Sequence, residues 1–195
     1  MKSVIHFTTV HKRTDTRIRI KQTASLARDI NAKVLLFVQD GKGNETDESR
    51  GLQVIDIGSK PGNRFVRMTL GAIRMLWAVR KARPKVAHFH DPELIPTGLI
   101  LKLSGIRMIY DVHEDVPKQI LGKFYLPLIV RKPMAWAMEA VEQIAGGYFD
   151  AIVPSTPKIA ERFPVEKTVV VQNFPILEEF VEPETVPHAQ RIPHF

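Results

Sequence analysis

Cysteine is absent from the 195 residues, which removes disulfide cross-links and thiolate metal sites and leaves a reducing compartment compatible with the chain. Long apolar runs are also missing. The longest near a proline, Phe124 to Val130, has seven residues, against the ~20 that a bilayer-crossing helix requires. At the start, Lys12 and Arg13 arrive before a signal-peptide core could accumulate. Acidic residues are missing from two stretches. Residues 57 to 90 carry eight Lys or Arg and no Asp or Glu, and residues 116 to 138 carry four and none. These blocks hold +12 against a net charge of +7, so the rest of the chain is acidic on balance. A regional excess of this kind suits anionic partners. Nucleic acid is not expected, because no helix-turn-helix, zinc finger or aromatic sheet motif accompanies the charge.

What is present is an ordinary globular balance, 44% apolar and 25% charged, in a chain long enough for one domain with a substantial core. Short β-branched runs alternate with segments of helical period. Strands are expected at 4–9, 34–38, 53–57, 86–90, 108–112, 151–153 and 168–171. Helices are expected at 15–31, 64–83, 92–104, about 125–145 (broken by Pro127 and Pro133) and 158–162. Asp91 caps the third helix with Pro92 in its first turn, and Gly105 ends it. The alternation predicts an α/β fold, a doubly wound and mainly parallel seven-stranded sheet. Residues 176 to 195, rich in Pro and Glu, read as a linker or tail.

Such a sheet binds ligands beyond the carboxyl ends of its strands. Those ends are polar here: Thr8-Thr9 with His11, Lys12, Arg13 and Asp15 after the first strand, His90-Asp91-Pro92-Glu93 after the fourth, Asp111-Val112-His113-Glu114-Asp115 after the fifth, and Ser155 after the sixth. His113, beside three carboxylates, is the leading functional candidate. Asp91 reads equally as a cap, Glu114 and Asp115 as water-facing residues opening the next segment, and His88 as a core histidine. Gly41-Lys42-Gly43 mimics a phosphate loop, but Glu45, Asp47 and Glu48 would repel a phosphate, so it is a solvent turn. No complete metal signature is present, and no metal is expected. The basic blocks interleave cations with apolar residues. Arg64, Arg67, Arg74, Trp77, Arg80 and Lys81 in the first, with Lys123, Arg131 and Lys132 in the second, are candidates to face an anionic membrane.

Four segments together carry a family resemblance: Asp15-Thr16-Arg17-Ile18 with Lys21 and Ser25-Leu26-Ala27; His90-Asp91-Pro92-Glu93-Leu94-Ile95-Pro96-Thr97-Gly98; Tyr110-Asp111-Val112-His113-Glu114-Asp115; and Val171-Gln172-Asn173-Phe174-Pro175. Over about residues 1 to 175 the chain resembles the amino-terminal, Rossmann-like domain of family-four glycosyltransferases of GT-B architecture. The resemblance implies the acceptor-side half of a retaining, metal-independent transferase, with a nucleotide-sugar as co-substrate and no tightly bound cofactor. It places His113 at the transferring sugar as a hydrogen-bond donor. It places the loop Thr9 to Arg17 near donor phosphates and acceptor, and His90, Asp91 and Glu93 along the cleft. The implied acceptor is a glycan or glycolipid, the implied location cytoplasmic or peripheral at the inner membrane face. Two departures stand out. His11-Lys12-Arg13-Thr14 replaces the glycine pair many relatives carry, leaving Lys12 or Arg13 to supply charge. The donor-binding domain has no counterpart in these residues, so the chain by itself is expected to be inactive. A non-catalytic module docking on a membrane or protein is the alternative.

Overall fold

The computed structural model describes residues 3–30, 32–60, 62–63 and 66–175, with Arg67 described by its backbone. Arg64, the Arg67 side chain and the expected tail at 176–195 therefore lie outside the described residues. Among the described residues seven strands form one sheet: β1 (Ser3–Phe7), β2 (Lys33–Val38), β3 (Glu45–Asp47), β4 (Leu52–Asp56), β5 (Val86–Phe89), β6 (Arg107–Val112) and β7 (Ala151–Pro154). Their order is β3-β4-β2-β1-β5-β6-β7. Every pair is parallel except β3 with β4. The chain builds outward from β1 on one side, then crosses to β5 on the other, so the switch point lies between β1 and β5.

Among the described residues the main helices are α1 (a wide π-wound stretch Thr16–Thr23 running into Ala24–Asp29), α2 (Arg67–Gly71 continuing as Ala72–Ala82), α3 (a 3-10 turn Pro92–Leu94 leading into Ile95–Leu103), α4 (Val116–Leu121), α5 (Leu128–Tyr148) and α6 (Pro157–Ala160). Local chemistry fixes several ends. The Asp15, Asp115 and Thr156 side chains accept from the backbone N–H groups of Ile18, Lys118 and Ile159, capping α1, α4 and α6. Gly105, at φ +86°, lets the chain turn back after α3.

Alternation along the strands divides the interior. Ile5, Phe7, Phe37, Phe89, Met108, Tyr110 and Ile152 pack with Met75 and Val79 of α2, Leu101 of α3 and Ala145 of α5. Val34, Leu36, Val38, Leu52 and Val54 face the other way, against Ile18, Leu26 and Ala27 of α1. Each such burial contributes roughly 1.5–3 kcal/mol relative to exposure. Gly98 sets the α3 distance: a Cβ there would lie 2.9 Å from Phe89 Cε1 and 3.2 Å from the Phe149 ring.

The sequence expectations differ at three points. The seventh strand is β3, a short antiparallel edge, and not 168–171. That segment runs beside β7 through two backbone bonds, Val169 N to Ile152 O and Val171 N to Pro154 O, without forming a strand. Helix α4 was not expected, since its six residues are too short to show a period. Pro133 does not break α5. It occupies an exposed position in the second turn, where water can satisfy the carbonyl it frees. The Gly41–Gly43 segment is an exposed turn, with Gly41 and Gly43 at positive φ and both N–H groups donating to Asp56.

Candidate functional site

The carboxyl ends of β1, β5, β6 and β7 converge around two carboxylates. The first is Asp91, which follows β5. It occupies the cap position of the Pro92 turn, yet its side chain makes no cap bond. It turns instead to the β1–α1 loop and accepts from Thr8 Oγ1 at 2.9 Å, Thr9 N at 2.5 Å, Thr9 Oγ1 at 3.1 Å and Val10 N at 3.2 Å. Asp91 thus staples the β1 and β5 loops across the switch point. Burial pushes its pKa up, against the Thr9 N–H and His11. Thr9 Oγ1 also donates to Glu93 at 2.7 Å. His11 is held at 3.1 Å by Asp15, whose pKa is pulled down to about 2 chiefly by that bond, while the His11 pKa is raised by it.

The second carboxylate is Asp111, on β6 and fully buried. Its Oδ1 accepts from Arg17 Nη2 at 2.8 Å, and its Oδ2 lies 3.1 Å from His90 Nδ1 and 3.0 Å from His113 Nε2. Gln22 Nε2 donates to Oδ2 as well. Four donors thus meet the acceptor sites of one carboxylate. Burial would raise the Asp111 pKa, but hydrogen bonds from His113 and His90 hold it well below the ordinary range. Beneath lies His6 of β1, whose Nδ1 is 3.1 Å from His90 Nε2. His6 and His88 are register partners on adjacent parallel strands, so their rings share a face. Burial drives His88 and His90 down to about 3 and lowers His6 well below its usual value, so all three are neutral near pH 7. One assignment of protons satisfies this chain: His6 Nδ1–H donates to His90 Nε2, while His90 Nδ1–H and His113 Nε2–H donate to Asp111. His113 then has Nδ1 for the cleft. That nitrogen accepts from a ligand hydroxyl when the ring is neutral and donates when it is protonated.

His113 separates two clefts. One, of about 440 Å³, is lined by His11, His90, Asp91, Glu93, His113 and Glu114, with Lys123 also on its wall. The other, of about 450 Å³, is lined by His11, Arg17, His113, Glu114, Ser155 and Asn173. Ser155 Oγ donates to the His113 carbonyl at 2.7 Å and fixes the backbone between them. Thr9 and Asp15 stand one contact away, on Asp91 and His11.

Three residues expected on the cleft are elsewhere. Lys12 is exposed and lines neither cleft. Arg13 turns away to Asp40, with bonds of 2.6 and 2.7 Å, and to the Gly43 carbonyl, so its charge ties the β1–α1 loop to the β2–β3 turn. Asp115 caps α4, pairs with Arg162 at 3.3 Å and lines neither cleft. Among the membrane-facing candidates, Arg131 is only 8% exposed and donates to the Leu121 carbonyl at 2.9 Å. Arg74, Trp77, Arg80, Lys81 and Lys132 are exposed. Sequence reasoning placed Thr8 and His11 at the end of the first strand but gave them no role, and it missed His6 and Gln22. For His6 the signal existed, a histidine inside an apolar strand, but its partners come from a strand 80 residues on.

Two triads, His6–His88–His90 and His90–Asp111–His113, bring potential ligand atoms within 4.8 Å of one another. Asp111, the one anion among them, is already held by the Arg17 guanidinium, so a divalent cation at either triad would sit close to that positive charge. The ligand set fits a hydrogen-bond relay better than a metal.

No curated protein sequence matches the chain. Solved structures do. Sucrose-phosphate synthase from Thermosynechococcus elongatus superposes with a TM-score of 0.64 at 10% identity, covering 88% of this chain and 48% of that one. The lipopolysaccharide outer core galactosyltransferase WaaB gives 0.51 at 14% identity, covering 89% and 46%. The E. coli trehalose-6-phosphate structure bound with UDP-2-fluoro glucose gives 0.50 at 10% identity, covering 80% and 40%. The chain therefore spans about half the length of these proteins and has the Rossmann-like fold of one GT-B half. Residues 20–173, most of the sequence, match the model of the glycosyl transferase 4-like domain, and the chain belongs to that family.

Proposed function

We propose that this chain is the acceptor-binding half of a retaining, metal-independent glycosyltransferase that draws on a nucleotide-sugar and acts in polysaccharide or glycolipid synthesis. The observation that carries the reading is His113, wedged between two clefts with Nε2 tied down by Asp111 and its other ring nitrogen left for a ligand. Glycosyl transfer develops oxocarbenium character at the sugar and negative charge on the departing diphosphate. Fixed dipoles and cations around those atoms lower the barrier without reorganising. Arg17, His11 and Asn173 in the second cleft supply such groups for the diphosphate, and Glu93 and Glu114 in the first, on a wall that Asp91 holds in place, accept from acceptor hydroxyls. The E. coli neighbour's UDP-sugar supports this ligand class. A second Rossmann-like domain, in cis or in trans, completes the donor side. Retention of configuration and metal independence enter this proposal as what the family resemblance implies. No described helix is long and apolar enough to cross a membrane. The cytoplasmic location, peripheral at the inner membrane face, is part of this proposal and rests on the family resemblance.

The test pairs the chain with a donor half and measures sugar transfer across a panel of nucleotide-sugars. His113→Ala should lower kcat by about 100-fold or more, the scale of a lost preorganised hydrogen bond at the reacting centre. Transfer that is indifferent to His113→Ala would favour the non-catalytic module.

A further inference from the structure

We propose that the loop 121–127 and the first turns of α5 form a surface that docks on an anionic lipid bilayer, and that the acceptor is lipid-anchored. The second half of this inference rests on the glycosyltransferase reading; the first does not. From Pro127 to Ala137 every side chain except Arg131 and Ala135 is exposed, so this end of the helix rests on α4 through those two residues and turns the rest of its surface outward. Phe124 is 88% exposed, Ile129 83% and Trp136 72%. Ile129, Pro133 and Trp136 recur at helical spacing on one face, with Lys132 beside them. Arg131 preorganises the patch, reaching back to the Leu121 carbonyl and lying 5.4 Å over the Phe124 ring. No acid occurs from residue 116 to 138, while Lys123 and Lys132 flank the apolar side chains.

Aromatic rings beside lysines match the bilayer interface, where rings sit at headgroup depth and cations meet anionic lipid. A protein partner with an acidic face is the competing occupant, but it would not require Phe124, Ile129 and Trp136 to project so far. Location ties the patch to the site. Lys123 lines the cleft that holds His113, and Phe124 follows it directly. An acceptor whose anchor stays in the bilayer would thus enter the cleft alongside Lys123. Helix α2 also exposes Trp77 and Arg74, but no residue of it lines that cleft.

The test floats the full chain with vesicles of 70:30 phosphatidylcholine and phosphatidylglycerol, and with phosphatidylcholine alone. Binding should need the anionic lipid, weaken with salt, and fall at least about tenfold in the Ile129→Ser/Trp136→Ser/Lys132→Glu variant. Arg74→Glu/Lys81→Glu on α2 should cost less than about twofold. In a Trp77→Phe chain, Trp136 fluorescence should shift to the blue on vesicles. Absent binding, binding lost only through α2, or a concentration-dependent dimer abolished by the α5 variant would each overturn the docking surface. With a donor half present, the α5 variant should lose transfer to a lipid-anchored acceptor in vesicles while keeping transfer to a soluble one; equal loss on both would overturn the anchored acceptor. Failure of His113→Ala to slow transfer would sink the enzymatic reading and leave the docking surface standing.

Discussion

The two faces of the same strands make opposite use of alternation. Along β5, Ala87 and Phe89 point into an apolar layer, while His88, and His90 just beyond the strand, point into a polar one. Along β6, Tyr110 joins the first layer and Asp111 the second. The apolar face is held by ring packing: Phe89 stacks on Tyr110 at 4.7 Å and meets Phe149 edge-on at 5.2 Å. The polar face is held by directional bonds that converge on one buried carboxylate. Packing loses stability gradually and regardless of pH, whereas the relay depends on every proton being in place.

The largest expected effect is therefore on pH dependence. His88 and His90 stay neutral in the folded protein down to about pH 3, but in the unfolded chain they protonate near 6.5. Below 6.5 the unfolded state binds more protons, so stability falls with falling pH, by about 3 kcal/mol per unit for the two histidines together. The urea midpoint should drop steeply between pH 6 and 4.5. A flat profile there would mean that these rings are protonated in the fold and that the polar face is organised differently.

That difference also explains what could be read in advance. Alternation of apolar residues announced the sheet, the helices and the polarity of the strand ends, because each is a local pattern. His113, His90 and Asp111 lie within 24 residues and were legible together. Arg17 and His6 join them only because β1 lies next to β5, a pairing fixed by topology and not by spacing. Arg13 misled for the same reason, since its partners, Asp40 and the Gly43 carbonyl, come from a turn that no local pattern connects to it. Asp91 was half legible: its position is that of a cap, but the hydroxyls and N–H groups it binds are supplied by the loop that follows β1.

Asp111→Asn should cost roughly 3–5 kcal/mol, because it strands the Arg17 guanidinium without its counter-charge. Arg17→Met combined with Asp111→Asn should be milder than Asp111→Asn alone, and chemical denaturation of the three proteins measures it. If the single change costs less than about 1 kcal/mol, the carboxylate is not the keystone of this face. On the opposite face, Gly98→Ala should cost about 1–3 kcal/mol by pushing its new methyl against the Phe89 and Phe149 rings, which are fully buried and have little room to yield. Its cost should be the same at pH 5 and pH 8. A pH-dependent cost would break the contrast.

The smallest effect is the most diagnostic. Asp15 both caps α1 through the Ile18 N–H at 3.0 Å and grips His11 at 3.1 Å, so Asp15→Asn keeps an acceptor for the cap and removes the charge. A loss of about 1 kcal/mol is expected near pH 5 to 6. The Asp15 pKa is depressed to about 2, so its contribution is complete above about 4 and disappears as pH falls through 2. The His11 pKa is raised, so its contribution is complete below about 6.5 and disappears as pH rises through the raised value. The difference between wild type and Asp15→Asn should therefore peak between those limits and shrink on both sides, as urea midpoints across the range would show. A constant difference would reduce Asp15 to a helix cap, and His11 would then stand over the clefts without the carboxylate that keeps it charged.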